Sequence, residues 1–379
     1  MLSFIKTLTR SPYTPLITVR ISRANILHNL GVFAEAVAPA KIAPVLKANA
    51  YGHGLVEVAQ ILDGDARISF LMVDSLFEAR VLREAHITSP LLVAGYTRPA
   101  DIITASAQMN DVAFTVATTE QVRMLAQLAQ KPVRIHVKAN TGMNRQGLEM
   151  GEIKKAVADL SNNPHIIIDG FFTHLASSDT PLDDDFTLKQ IGRFKEARAF
   201  IERLPQKPRF IHVSNTAGAR FANILNTNTF RLGLGLYGIS PMGESDVLRP
   251  VLSMHTIATN IRKLERLDTV GYNRTFTVYK PIITAVIPAG YYEGLDRRLS
   301  NKGSVRVKDS VCPIVGRVSM NMTTIDVSAI PGIREGDEVE VVSADATAPN
   351  SAAAMADLCE TIPYDILVGI NGDLRREVI

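Results

Sequence analysis

Apolar positions along roughly the first 240 residues of the chain alternate between two spacings. From Ser22, a suitable N-cap, to about Ala38, the residues Ile26, Leu30 and Phe33 recur three to four apart, as on one face of a helix. Short apolar runs follow near residues 42–47, 69–74, 90–95, 111–116, 133–138, 166–174, 209–213 and 230–234 and read as buried strands. The segments between them read mostly as amphipathic helices, clearest at 75–85, 118–130, 148–161 and 185–204, with others around 99–109 and just after Asn215. Eight strands in a strand–helix rhythm over roughly 235 residues predict an α/β fold, a closed (β/α)8 barrel, with a doubly wound open sheet as the alternative.

After Gly238 the rhythm stops. Leu248–Leu264, Thr277–Ile287, Ser304–Val307, Val311–Val327 and Glu338–Val342 are rich in Val, Ile and Thr, with turn signals at Pro313, Gly332 and Gly336-Asp337. These segments predict a mostly β domain over 245–379 with one weak helical stretch near 351–360. The barrel domain then takes 1–244, its first fifteen or so residues being free to pack with the second domain.

Composition narrows the function classes. Of 379 residues, 46% are hydrophobic and 21% charged, enough for two cores and without a disorder signature. A net charge of +3 with no basic run gives no case for nucleic acid, and no apolar stretch reaches the length of a membrane span. Lys6, Arg10 and Arg20, with hydroxyl residues and no acid before Glu35, have the composition of a transit peptide. A secretory apolar region and cleavage site are missing, and two cysteines, Cys312 and Cys359, read as reduced thiols, so a cytoplasmic location is expected.

The barrel reading also makes polar residues at strand ends informative, because chemistry in such barrels sits at the C-terminal mouth. The first strand delivers Lys47 into Ala48-Asn49-Ala50-Tyr51-Gly52-His53-Gly54, a turn of small residues with two glycines and a phenol. The fifth ends at Lys138 and runs into Asn140–Arg145; the sixth ends at His174, the seventh opens into Ser214-Asn215-Thr216, and the eighth carries Arg231 and then Gly233. On the fifth strand Val133, Ile135 and Val137 alternate with Arg134, His136 and Lys138, which sends three basic groups into the barrel. They require an anionic partner: a bound phosphate, a distant carboxylate, or a carbamate formed on a lysine. A lysine at a barrel mouth beside glycines and a helix start suited to a phosphate points to a Schiff base with pyridoxal phosphate.

Val45–Gly54 resembles the cofactor-lysine signature of the alanine racemases, barrel-type pyridoxal-phosphate enzymes. The similarity continues through Lys138–Gly147, Thr173–Ala176, Ser214–Ala217, Arg231–Gly238, Val270–Tyr272 and Gly316–Met320, in order and over nearly the whole chain. The resemblance implies two-base interconversion of L- and D-alanine, supplying D-alanine for peptidoglycan, by a homodimer with shared active sites and no metal. Lys47 would hold the cofactor and act as one base, and Tyr272, contributed from the partner subunit, as the other. His174 and Arg231 would support the tyrosine, with Arg231 also meeting the pyridine nitrogen. Tyr51, Asn215, Thr216, Gly233 and Tyr364 would surround the phosphate, with Leu234 supplying backbone, while Arg145 and Met320 would contact the substrate carboxylate. Lys138 matches a position that resembles a carbamylated lysine, which would answer the charge question on the fifth strand and orient Arg145.

Three positions depart from the family pattern: Asn140 and Asn321 stand where Asp is common, and Gly271 where Ser is frequent. Rival readings are a metal-dependent barrel hydrolase using His136, His174, His212 and a modified Lys138, a non-catalytic pyridoxal-phosphate carrier, and a racemase of broader range or a decarboxylase. A carrier would need Lys47 but no opposing Tyr272.

Overall fold

The computed structural model describes residues 14–179, 185–241 and 247–379, and it separates into two units, one within Ser22–Val251 and the other joining residues 14–21 to Leu252–Ile379. Thr18–Ile21 forms the first strand, β1, and belongs to the second of these units. The residues before 14, including Lys6 and Arg10, lie outside the described residues.

The first unit is the barrel. Its strands are β2 (Lys41–Pro44), β3 (Leu71–Val73), β4 (Leu91–Val93), β5 (Val112–Val116), β6 (Val133–Lys138), β7 (Ile166–Phe172), β8 (Phe210–His212) and β9 (Thr229–Leu232). Neighbours pair in parallel from β3 round to β9, and β9 pairs with β2. The ring closes between β2 and β3 through isolated bridges, Ile42 to Ile68 and Val45 to Met72, so this seam carries fewer ladder bonds than the others. Ala43, Phe70, Met72, Leu92 and Ala113 fill the barrel's interior as one apolar cluster.

Local sequence explains where the outer helices start. Ser22, Ser75 and Thr118 each accept a hydrogen bond from the backbone N–H three residues on, capping helices Arg23–Ala36, Leu76–Glu84 and Thr119–Leu128. Pro99 opens Pro99–Gln108, where its missing N–H costs nothing. The helices anticipated at 148–161 and 185–204 are Met150–Ser161 and Asp185–Ile201, and the short one after Asn215 is a 3-10 turn, Thr216–Phe221, continuing into Ala222–Leu225.

One expectation changes at the first barrel strand. Lys47 is not a strand end: β2 stops at Pro44, and Lys47 leads a turn in which Ala48, Asn49, Ala50 and Tyr51 have φ of 54°, 55°, 52° and 53°. Gly52 and Gly54, at φ 85° and 104°, end it.

The second unit is built on a six-stranded sheet in the order 310–313, 304–307, 338–342, 252–257, β1, 375–378, with a three-stranded sheet of 259–264, 282–287 and 323–326. It is mostly β, with two helices rather than one: Ala352–Leu358 and also Pro363–Gly369, whose proline occupies the first turn.

The barrel interior yields one test. A β-bulge at Asp169 shifts the register between β6 and β7 and sets Gly170 against the ring of His136, where an added Cβ would lie 2.4 Å from Nδ1. Gly170→Ala is expected to cost about 2 kcal/mol or more, read as a lower urea midpoint, and an unchanged midpoint would contradict this packing.

Candidate active site

The three basic residues of β6 meet three different fates. Arg134, at the N-terminal end of the strand, lies 3.6 Å from Asp169, a carboxylate 3% exposed that also takes two 2.6 Å hydrogen bonds from Arg209. Its counter-charge is thus a distant carboxylate, one of the three partners the sequence left open. His136 shares a 2.9 Å hydrogen bond with His212. Lys138 is buried at the mouth, donates to Gln146 Oε1 at 3.0 Å, and rests over the ring of Phe172.

Arg231, on β9, ties these groups together. Its Nη1 donates to His212 Nδ1 at 2.8 Å, and its Nη2 donates to His174 Nδ1 at 2.9 Å and to the carbonyls of Thr173 and Val213. A guanidinium only donates, so both imidazoles accept at Nδ1 and carry their proton on Nε2. His212 Nε2–H then donates to His136 Nδ1, and the sequence of donors runs one way from Arg231 into the barrel. Among the described residues no three His, Cys, Asp or Glu side chains cluster as the hydrolase reading requires.

Burial and like charge shape the titration of the site. Lys138 is lowered to about 8, by burial first and then by Arg231, Arg145 and Lys47, with Asp74 opposing them. His174 and His212 are pushed well below the usual imidazole range by burial and then by Arg231. His136 falls to about 3, mainly through burial.

Residues named for the phosphate also come together in the barrel unit. Tyr51 is buried, its ring 5.0 Å from that of Tyr237, whose hydroxyl donates to the Val45 carbonyl at 2.8 Å. A Cβ on Gly233 would meet Tyr51 Oη at 3.1 Å and Thr216 Oγ1 at 4.0 Å, so the absence of a side chain keeps a space open between the two hydroxyls. Asn215 caps the turn that carries Thr216, accepting from Gly218 N at 2.9 Å, and Leu234 follows Gly233 at the start of another 3-10 turn. Buried nearby in sequence, Ser214 Oγ has no hydrogen-bond partner. Open space, hydroxyls and a surplus of cations on Lys47, Lys138, Arg145 and Arg231 together fit a phosphorylated anionic cofactor.

The remaining candidates lie in the second unit. Tyr272 is 69% exposed, on a turn where Gly271 takes φ 73° and an added Cβ would stand 3.2 Å from Arg317 N. Gly271 in place of Ser is thereby accommodated. Met320 is exposed, its carbonyl accepting from Tyr292 N at 2.9 Å, and Tyr364 lies half-buried on the helix opened by Pro363.

Three contributors are not singled out from the sequence, although Gln146 and Tyr237 lie within stretches that carry the resemblance. Glu78 accepts from Ala48 N, Gln146 from Lys138, and Tyr237 donates beneath the Lys47 turn. Each belongs to an ordinary helical or loop pattern, and only the fold brings it to the mouth.

The buried imidazoles predict an acid-sensitive fold. Unfolded, they bind protons near pH 6.5, whereas folded His136 refuses one until about 3, so their contribution is complete above pH 6.5 and is lost as pH falls toward 3. Urea midpoints should fall with a slope of about two or more protons taken up on unfolding near pH 5.5. A flat profile there would contradict the neutral, buried assignment.

Comparison with known proteins places this arrangement. Residues 21–241 match the family model "Alanine racemase, N-terminal domain" and 251–378 match "Alanine racemase, C-terminal domain". Alanine racemase 2 of Caldanaerobacter subterraneus subsp. tengcongensis is 32% identical over 366 residues, 94% of this chain and 93% of that relative. The solved alanine racemase of Clostridium difficile 630 superposes with a TM-score of 0.89 at 28% identity, over 97% of this chain and 96% of that one. The alanine racemase of Bartonella henselae, solved with covalently bound pyridoxal phosphate, gives a TM-score of 0.84 at 25% identity, over 97% of this chain and 100% of that one.

Proposed function

The chain belongs to the alanine racemase family, isomerases that racemise alanine, and on that premise we propose that it works with pyridoxal 5'-phosphate held by the amine of Lys47. The space at Gly233, bounded by Tyr51 Oη and Thr216 Oγ1, is the observation that carries the cofactor reading. Tyr51, Thr216, Gly233, Asn215 and the Leu234 backbone would hold the phosphate, with Tyr364 as a further contact proposed from the family resemblance, and Arg231 would face the ring nitrogen. When bound, the cofactor supplies a sink for the electron pair left at Cα.

Racemisation needs a proton removed from one face of Cα and delivered to the other. The Lys47 amine serves one face and the partner subunit's Tyr272 the other, so the working form is a homodimer. The exposed ring of Tyr272 in the single chain supports that reading. A phenol, ordinarily titrating near 10, acts as a base only with help, and the Nε2–H of His174 is a donor suited to stabilise the phenolate. Arg145 and Met320 receive the substrate carboxylate. Two free, buried cysteines accord with action in a reducing compartment such as the cytoplasm, where D-alanine would feed peptidoglycan. Among the described residues no helix is long and apolar enough to cross a membrane.

Tyr272→Phe is expected to lower interconversion of the alanine enantiomers by roughly a thousandfold or more, while α-hydrogen exchange with solvent persists for one enantiomer alone. Lys47→Ala should lose both. Exchange surviving equally for both enantiomers in Tyr272→Phe would exclude the two-base assignment.

Lys138 we propose to be carbamylated, because a lysine lowered to about 8 is readily neutral and its neighbours Arg231, Arg145 and Lys47 favour an anion in its place. Lys138→Ala should lose most activity and regain part of it with short carboxylic acids. Failure of every such acid would remove the main support for the modification.

A further inference from the structure

The turn that carries Lys47 is built in a way L-residues resist. Ala48, Asn49, Ala50 and Tyr51, none of them glycine, lie consecutively in the left-handed region. A turn of this kind persists only where its surroundings over-determine it. Its far end is fixed within the segment itself: Asn49 Oδ1 accepts from Leu55 N at 2.8 Å, Gly54 N donates to the Asn49 carbonyl at 2.9 Å, and His53 Nδ1 lies 3.0 Å from the carbonyls of Ala50 and Tyr51.

The near end, next to Lys47, is held from another element. Glu78 Oε1 accepts from Ala48 N at 2.8 Å, while Oε2 accepts from Asp74 N at 2.8 Å and Ser75 N at 3.1 Å. Ala48 N belongs to the peptide that joins it to Lys47, so the carboxylate fixes the plane immediately after the lysine. The same carboxylate spans the β2–β3 seam, where the ladder is reduced to isolated bridges and the Leu46 N to Met72 O bond of 2.7 Å.

Resting on the cofactor reading of Lys47, we propose that Glu78 is a positioning residue: by clamping the Lys47–Ala48 peptide to the end of β3 it aims the lysine amine at the cofactor aldehyde. A simple helix-capping role explains only half of the contacts. Glu78 completes a capping box with Ser75, whose Oγ accepts from Glu78 N at 3.2 Å, and that box uses Oε2 alone. The bond from Ala48 to Oε1 adds nothing to the helix and acts solely on the lysine turn.

Ser75→Ala and Glu78→Ala separate the two roles. Apoprotein of each is titrated with pyridoxal 5'-phosphate, binding is followed by visible absorbance across pH, and thermal midpoints are recorded alongside. Glu78→Ala should weaken cofactor binding roughly tenfold and slow its capture by the lysine, and Glu78→Gln, which keeps one accepting oxygen, should fall between it and wild type. Ser75→Ala should lower the thermal midpoint without changing affinity or capture rate. Equal affinity in wild type and Glu78→Ala, or equal losses in Ser75→Ala and Glu78→Ala, would overturn the positioning role while leaving Lys47 as the cofactor residue. If Glu78→Ala does not fold, Glu78→Gln decides by the same criteria. Absence of binding by the wild type itself would overturn the cofactor reading, and this inference with it.

Discussion

A guanidinium buried in a barrel needs acceptors around it, and the packing of β6 to β9 follows from supplying four of them to the two terminal nitrogens of Arg231. The side chain is 2% exposed, yet it finds His212, His174 and two backbone carbonyls, and lies over the face of Phe172. The consequences spread outward in order. Two imidazoles are forced into one tautomer, the second of them orders a third, and Gly170 must lack a side chain so that His136 can take its place. Burial, and after it the same charge, lowers Lys138. A rearrangement at any of these residues would leave a buried donor or acceptor open, which is why the interior is specified so fully.

The second constraint is conformational. Four left-handed residues after Lys47 cost on the order of 1–2 kcal/mol each, and no intrinsic preference of Ala, Asn or Tyr offsets that sum. Contacts from separate places hold the turn: Glu78 in front, Tyr237 beneath and Asn49 behind. Regular secondary structure would have placed Lys47 on a strand, pointing either into the barrel or out toward the helices. The left-handed turn instead carries an exposed lysine at the mouth where Lys138 and Arg231 are buried, open to a ligand that enters there.

How far the sequence discloses this depends on the range of each interaction. Period-two and period-3.6 patterns are local, so the eight barrel strands and most helices can be read directly, with ends differing by a few residues. The left-handed turn cannot, because Lys47-Ala48-Asn49-Ala50 has neutral-to-helical propensity and its geometry is imposed from Glu78 and Tyr237. Strand β1 escapes notice for a related reason: Thr18–Ile21 is four residues long and becomes a strand by pairing with Leu252–Ile257 and Arg375–Val378, more than two hundred residues away. The helix at Pro363 is concealed by a residue that breaks helices in their interior and begins them at their first turn. Candidate site residues, by contrast, were nameable from the resemblance, and the barrel members among them do converge at one mouth. For Tyr272, Met320 and Tyr364 the single chain offers surroundings rather than a complete site.

The two Asn-for-Asp departures follow from local charge. Asn140 Nδ2 donates to Glu149 Oε1 at 2.7 Å and to Asn144 Oδ1 at 2.9 Å, while its Oδ1 accepts from the backbone of Gly142 and Asn144. Asp could keep the accepting half of this arrangement but would set its carboxylate against that of Glu149. Asn321 repeats the logic in the second unit, donating at 2.7 Å to Glu293, a carboxylate 8% exposed whose other oxygen accepts from Gly290 N. In each loop an acid supplied by a neighbouring segment takes the negative charge, and the amide keeps the geometry while adding a donor that an ionised Asp lacks. An Asp at 140 or 321 would replace that donated hydrogen bond with a second carboxylate facing Glu149 or Glu293.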